Sequence, residues 1–159
     1  MKETTELIGK KAPSFKASVI GGKYKEGDTV SLADLKGQTV VLYFYPKDNT
    51  PGCTTQACSL RDGWGGVQKK AAVFGVSADP LKSHASFIKK HNLPFPLISD
   101  EAREIIQAYG MWVEKSMYGK KYMGTERSTV IIGPDGKVKT VLRKVQPAEH
   151  LDLLLQALG

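Results

Sequence analysis

Residues 39–53 read TVVLYFYPKDNTPGC, and the order of residue types in this stretch sets the architecture of the chain. The first part, 39–45, is a run of β-branched and aromatic residues, which is typical of a strand buried on both faces of a sheet. Thr50 can cap a helix and Pro51 suits a helix's first turn, so the following residues predict a helix over 50–61. The stretch therefore predicts a central strand that leads through a short loop into a helix, with Cys53 in its first turn.

Outside this stretch, strands and helices alternate without internal repeats or low-complexity linkers. The hydrophobic pattern predicts strands at 14–19, 71–77, 96–99, 128–133 and 137–143, and helices at 83–91, 101–109 and 147–158. Asp135-Gly136 predicts a hairpin between the last two strands, so the sheet must contain an antiparallel pair. The GWGG sequence at 63–66 leaves open how far the first helix continues. We expect a single domain over residues 1–159, of the α/β class, with a central mixed β-sheet flanked by helices.

The composition is that of an ordinary globular domain. The 159 residues are 41% hydrophobic and 25% charged, which argues against disordered, collagen-like and disulfide-rich classes. The longest apolar run is far shorter than the roughly 20 residues of a membrane span, and the N-terminus shows no apolar signal core. Lysine and arginine outnumber the acids 23 to 16, but they are scattered and accompany no RNA-binding motif. We expect a cytoplasmic protein that binds neither membrane nor nucleic acid.

Only two cysteines occur, Cys53 and Cys58. The unpaired N–H groups and the positive dipole end of a helix start favour a thiolate at Cys53, and a thiolate is the nucleophilic form of cysteine. On position alone, a small buried thiol beside an ordinary helix cap is an equally good interpretation.

The spacing between the two cysteines is informative. In an ideal helix, residues five apart have Cα atoms separated by about 8.6 Å, whereas a disulfide needs less than about 7 Å. Cys53 and Cys58 therefore cannot bridge while the helix is intact. This spacing favours a transient disulfide coupled to local unwinding over a permanent structural one.

Cysteines can also act together with histidines, in a metal site or in a hydrolase. His84, His91 and His150 do not stand at metal-finger spacing from either cysteine, so we expect no metal site and place these histidines at the surface or at helix ends. A cysteine–histidine hydrolase would need one of them beside Cys53, and the sequence leaves that alternative open.

Around Cys53, the chain resembles the peroxiredoxin family. Pro46, Thr50 and Cys53 meet the family's active-site pattern Pro-x-x-x-Thr-x-x-Cys, and TTQACSLRD at 54–62 is similar to the peroxiredoxin Q or bacterioferritin comigratory protein subgroup. Further segments similar to that subgroup are GVSAD at 75–79, LPFPL at 93–97 and GTERST at 124–129.

The resemblance implies a thioredoxin-like fold and a thiol-dependent peroxidase that reduces hydrogen peroxide and organic hydroperoxides in antioxidant defence. It implies that Cys53 is the peroxidatic cysteine, that Cys58 is the resolving cysteine, and that Pro46, Thr50 and Arg127 shape and polarise the peroxide site. It also implies a protein that needs no cofactor or metal, and it favours a monomer over a dimer formed through Trp64, Trp112 or other exposed aromatics. The expected partner is a transient external reductant, thioredoxin or a glutaredoxin-like protein.

Other interpretations remain at this point. Without the resemblance, a surface ion pair with Glu126 or another acid explains Arg127 equally well. A thioredoxin-type disulfide reductase would share the fold but should carry Cys-x-x-Cys, and a basic binding protein would explain the formal net charge of +7.

Overall fold

The computed structural model describes residues 7–159, in which strands and helices alternate. The strands are β1 (Lys16–Ile20), β2 (Thr29–Ser31), β3 (Val40–Phe44), β4 (Ala72–Ser77), β5 (Leu97–Ser99), β6 (Trp112–Met117), β7 (Lys120–Thr125), β8 (Ser128–Ile132) and β9 (Val138–Leu142). The helices are α1 (Pro51–Asp62), α2 (Trp64–Val67), α3 (Leu81–His91), α4 (Glu104–Ala108) and α5 (His150–Leu158), with a 3-10 helix at Leu32–Leu35. All the predicted strands and helices are present, most of them with slightly different ends.

Seven strands form one mixed sheet in the order β2-β1-β5-β4-β3-β8-β9. Strand β3 pairs in parallel with β4 and antiparallel with β8, and β8 pairs antiparallel with β9 through the predicted hairpin. The prediction of an α/β chain with a central mixed sheet is confirmed.

Strand β3 supplies the core on both faces of the sheet, as its run of apolar residues predicts. All five of its residues are buried. Since successive side chains of a strand point to opposite faces, Leu42 and Phe44 pack into one hydrophobic cluster, while Val41 and Tyr43 pack into the other. The second cluster includes Cys53, so β3 carries the chain directly to the predicted site.

The larger departures from the predicted helices are at α4 and α5, and the end of α1 is now defined. Arg103 adopts a left-handed φ of 61°, and α4 begins only after it. Helix α5 begins at His150, three residues after the predicted start. At Gly63 the helical run breaks, and a separate short helix follows. None of the helices in residues 7–159 has both the length and the apolar character that a membrane crossing requires.

The sequence pattern missed the hairpin of β6 and β7, which pair antiparallel as a separate two-stranded sheet. Their residues are mostly exposed or half-buried, so the pair lacks the apolar pattern of a core strand. Tyr118 and Gly119 form the turn, both with positive φ, which suits the twist of a two-residue hairpin loop.

Candidate active site

Cys53 lies in the first turn of α1, which follows β3 after a short loop. Pro51 opens the helix, and Thr50 takes the extended backbone conformation of a capping residue. The buried residues of α1 are Cys53, Gln56, Ala57 and Leu60, a spacing that places them on one helical face. The thiol is only 2% exposed, and it lies where unpaired helix N–H groups favour negative charge.

Arg127 contacts this thiol, although the two residues are 74 positions apart in the chain. Its Nη1 lies 3.3 Å from Cys53 Sγ and donates to Gln56 Oε1 at 2.7 Å. The arginine lies between β7 and β8, and its backbone carbonyl accepts a hydrogen bond from Val145 N–H at 2.8 Å. The fold thus places a guanidinium in direct contact with the Cys53 sulfur.

Gly52 permits this close approach of Arg127 to the helix start. A Cβ atom at position 52 would lie 3.1 Å from Arg127 Nη2 and 3.4 Å from Pro147 Cγ. Any side chain here would therefore push the guanidinium or the proline away from the helix.

Glu126 is paired with Arg143 and not with Arg127. Its carboxylate accepts from Arg143 Nη2 at 2.7 Å and from Arg143 Nε at 3.0 Å, and the Ser128 hydroxyl donates to it as well. Burial opposes ionisation, but the hydrogen bonds from Arg143 and Ser128 outweigh it and lower the pKa of Glu126. The interpretation of Arg127 as an ion-pair partner of Glu126 is therefore wrong.

Thr50 and Pro46 both lie in the loop between β3 and α1. Although Thr50 occupies the cap position, its hydroxyl donates to the Lys47 carbonyl at 2.8 Å and makes no cap hydrogen bond, so the expected side-chain cap is wrong. An oxygen that donates its proton in this way keeps lone pairs that can accept a hydrogen bond. Pro46 is half-buried and follows directly after the buried Tyr45.

Cys58 lies on the same continuous helix as Cys53, and both are free thiols. It is half-buried, because it falls outside the buried face of α1. The helix that the spacing argument assumed is thus present.

Three buried polar atoms lack a hydrogen-bond partner within the described residues, and the sequence did not point to them: Tyr43 Oη, Gln56 Nε2 and His150 Nδ1. Gln56 holds Arg127, and the ring centroids of Tyr43 and His150 are 5.5 Å apart. Burial, assisted by the charge of Arg127, lowers the pKa of His150 to about 4, so this histidine is neutral at neutral pH. Gln56 could have been found from its position one helical turn after Cys53.

Two of the three histidines lie at helix ends, as predicted, and His84 does not. His91 ends α3 and His150 begins α5, as expected for helix-end residues, but His84 lies inside α3, and both His84 and His150 are fully buried. Both ring nitrogens of His84 face other groups, Asp48 and the Ile98 carbonyl, and Nε2 of His150 faces Thr129. This arrangement gives no support to a cysteine–histidine hydrolase.

Asp48, Asp79 and His84 form a cluster with metal-ligating atom types, all within 4.8 Å of one another. Each candidate ligand atom is also placed for hydrogen bonding. The Ser77 hydroxyl and the Asp48 N–H donate to Asp79 Oδ2, at 2.6 and 2.9 Å. These contacts describe a hydrogen-bonded network that satisfies its own polar atoms.

An open groove of about 520 Å³ reaches Arg127 from the surface, between the β6–β7 hairpin and the segment after β9. Its lining includes Lys115, Tyr122, Lys144 and Pro147. Burial and the charge of Arg127 lower the pKa of Lys115. The groove therefore leaves one side of Arg127 open to a small molecule.

Comparisons with known proteins agree with this geometry. Residues 8–141 match the model of the AhpC/TSA family. The chain is 44% identical over 152 residues to the peroxiredoxin Bcp of Bacillus subtilis, an alignment that covers 95% of this chain and 94% of that protein. It is 40% identical over 146 residues to the peroxiredoxin Bcp of Escherichia coli, which covers 89% and 94% of the two chains.

Solved structures give the same result. A structure of peroxiredoxin Q from Xanthomonas campestris is similar with a TM-score of 0.82 and 40% identity, over 91% of this chain and 89% of that chain. A structure of the bacterioferritin comigratory protein of that species, described as a trapped intermediate/ligand complex that concerns alkyl peroxide reduction, also has a TM-score of 0.82, with 39% identity over the same shares. These similarities confirm the thioredoxin-like fold that the resemblance implied.

Proposed function

The chain belongs to the AhpC/TSA family, among the Bcp and peroxiredoxin Q proteins, and from this membership we propose how it acts as a thiol peroxidase. Its substrates are hydrogen peroxide and organic hydroperoxides, and Cys53 is the nucleophile. The alkyl peroxide reduction described for the Xanthomonas relative supports the second substrate class. The observation that carries the proposal is the Cys53 sulfur in the first turn of α1, 3.3 Å from Arg127 Nη1.

In the first step, the Cys53 thiolate attacks the terminal oxygen of the peroxide. The S–O bond forms as the O–O bond breaks, and the leaving oxygen takes a proton to depart as water or an alcohol, which leaves Cys53 as a sulfenic acid. Negative charge develops on the leaving oxygen. Arg127, the helix N–H groups and Thr50 stabilise that charge and hold the peroxide in line, while Pro46 stiffens the loop that carries Thr50.

In the second step, α1 unwinds and the Cys58 thiol attacks the sulfenic sulfur. A disulfide forms and water leaves. Cys58 lies on the same helix as Cys53, five residues further on. An intact helix keeps the two sulfurs too far apart for a disulfide, so this step requires α1 to unfold locally.

An external dithiol then reduces the disulfide by thiol–disulfide exchange. Thioredoxin or a glutaredoxin-like protein is the proposed donor, in a cytoplasmic setting where such donors operate. Since both cysteines belong to one chain, the cycle needs no second copy, and we propose that the monomer is the active form. No metal or other cofactor takes part in these steps.

Titration with peroxide tests the proposal. One equivalent of hydrogen peroxide should consume both thiols of the reduced protein, lower the intact mass by two hydrogens and give no dimer on a non-reducing gel. Far-ultraviolet circular dichroism should show helix lost on oxidation, since α1 must open.

Two serine variants separate the steps. Cys53→Ser should abolish peroxide turnover, whereas Cys58→Ser should consume one thiol, gain one oxygen in mass and recycle slowly. Undiminished turnover in Cys53→Ser contradicts the assignment of the nucleophile. Identical circular dichroism of the reduced and disulfide forms contradicts the unwinding step.

A further inference from the structure

The loop 46–50 joins β3 to α1 and carries Thr50 to the site. Asp48 is its one fully buried residue, with 4% exposure, while its neighbours Lys47 and Asn49 are exposed. Asn49 has a φ of 60°, a left-handed conformation that is uncommon outside glycine. A buried carboxylate is stable only when surrounding contacts hold it in place.

Those contacts come from three parts of the fold. The hydroxyls of Tyr45 and Ser83 donate to the Asp48 carboxylate at 2.6 and 2.8 Å, and His84 Nδ1 lies 2.7 Å from Oδ2. The backbone N–H of Asp48 donates to Asp79 Oδ2 at 2.9 Å. The loop is thereby held against the end of β3, the first turn of α3 and the segment between β4 and α3.

The hydrogen bonds of His84 locate a proton in this network. Nε2 lies 2.9 Å from the Ile98 carbonyl, which can only accept, so Nε2 carries a hydrogen. Nδ1 faces Asp48 Oδ2 at 2.7 Å, so a second hydrogen lies between the imidazole and the carboxyl group, whose oxygens also accept from two hydroxyls. The two side chains are 0% and 1% exposed, so this pair is shielded from water.

We infer that Asp48 and His84 act as positioning residues for the peroxidatic cysteine, through a buried hydrogen-bonded pair that fixes the loop 46–50 on the N-terminal side of α1. The inference rests on the proposed function. None of the contacts above involves α1 itself, so α1 can unwind without breaking them. The Asp48–His84 pair thus holds Thr50 and the helix start in place for the first step and leaves the second step free.

The test is Asp48→Asn, which keeps the shape of the side chain but replaces one of the carboxyl oxygens that Tyr45, Ser83 and His84 contact with an amide NH2. Rapid-quench mass spectrometry should resolve sulfenic acid formation at Cys53 from the later disulfide. We expect the rate constant of Cys53 oxidation to fall about 10- to 100-fold, as for other small misplacements of reacting groups. The rate of disulfide formation from the sulfenic acid should stay equal or rise.

Asp100→Asn is the matched control. Asp100 is also buried, and its Oδ2 accepts from Ile106 N–H at 2.8 Å in α4, away from the loop. This variant should oxidise at the wild-type rate. Oxidation of Asp48→Asn within twofold of the Asp100→Asn rate overturns the inference, and so does an equal slowing of both steps.

If Asp48→Asn does not fold by circular dichroism, Ser83→Ala decides the question. It removes one donor to Asp48 and leaves the Asp48–His84 pair. It should slow oxidation several-fold without slowing disulfide formation, and a wild-type oxidation rate overturns the inference. Failure of the proposed function is distinguishable, since wild-type protein would then keep its thiols on exposure to peroxide.

Discussion

The two ends of α1 are held in different ways. Before the helix, the loop 46–50 is fixed by short hydrogen bonds to residues outside α1, among them the buried contact of Asp48 with His84. After Cys53, the helix is held by its own backbone hydrogen bonds, by the burial of Ala57 and Leu60 and by the bond from Arg127 Nη1 to Gln56 Oε1. Its last turn also packs against α5 at Gly63, and Arg61 Nη1 donates to the His91 carbonyl at 2.8 Å.

This difference separates the two tasks of the site. Peroxide attack needs the sulfur, Arg127 and the helix start in fixed positions, whereas disulfide formation needs the helix after Cys53 to open. Contacts that lie outside α1 survive its unwinding. Local unfolding breaks the helical hydrogen bonds and the packing of side chains, and water then solvates the exposed groups. We call the loop 46–50 with the start of α1 the fixed end, because its polar contacts serve peroxide attack. We call the part of α1 after Cys53 the releasable end, because its contacts break when the disulfide forms.

The largest effect is expected at the fixed end, for Arg127→Lys. Lysine keeps the charge but lacks the planar guanidinium, whose Nη1 contacts both Cys53 Sγ and Gln56 Oε1. The rate constant of Cys53 oxidation should fall about 10²- to 10³-fold, as when one preorganised donor is removed from an active site. Stopped-flow measurement of peroxide consumption checks this.

Arg61→Lys is the control from the releasable end. Arg61 is bonded to the His91 carbonyl and to Asp62, not to Cys53. Oxidation should proceed at the wild-type rate in this variant, while the disulfide should form slightly faster. Equal losses of oxidation rate in the two variants contradict a division of labour between the two ends.

The second largest effect is expected in the pH dependence of the free energy of unfolding. It arises from His150 in α5, the helix against which the end of α1 packs. His150 has a pKa of about 4 in the folded protein, because it is buried near Arg127, against 6.5 as its ordinary value. As the pH falls from about 6.5 to 4, the unfolded chain takes up this proton before the folded protein does, so folding loses stability. The loss amounts to about 3 kcal/mol at pH 4.

Urea unfolding at pH 7 and pH 4 measures this loss. In His150→Gln, the group no longer titrates, so the variant should lose about 3 kcal/mol less between the two pH values than wild-type protein does. Parallel losses in the two proteins contradict a buried neutral His150.

The strand-to-helix stretch could be predicted from the sequence because its signals are local. The apolar run of β3 and the Thr50-Pro51 start of α1 act within a few residues, and both elements are present. The β6–β7 hairpin was missed because its strands bury little and so carry no hydrophobic period.

The side-chain contacts of the site could not be predicted from local sequence patterns. Cys53 meets Arg127 across 74 positions, and Asp48 meets His84 across 36. The hydrophobic periodicity of the sequence cannot predict such pairs, because it does not distinguish a buried polar residue from an exposed one. Resemblance to a family supplied Arg127, whereas the Asp48–His84 pair became visible only in the fold.

The smallest effect is expected at the releasable end, for Gly63→Ala with Gly65→Ala as its control. A Cβ atom at position 63 would lie 2.6 Å from Leu151 Cδ2, whereas one at position 65 would meet nothing within 4 Å. Both substitutions stiffen the unfolded chain similarly, so their difference isolates the packing of α1 on α5. Crowding against Leu151 should lower the free energy of unfolding by about 1 kcal/mol relative to Gly65→Ala.

Because 1 kcal/mol corresponds to about a fivefold change in an equilibrium constant, Gly63→Ala should open α1 more often and form the Cys53–Cys58 disulfide a few times faster. Peroxide attack on Cys53 should be unchanged, since the loop 46–50 and Arg127 do not touch the substituted position. Quenching samples during one turnover and counting sulfenic acid against disulfide gives both rates. Slower attack in Gly63→Ala but not in Gly65→Ala would show that the two ends of α1 are mechanically coupled, and the separation of tasks along this helix would fail.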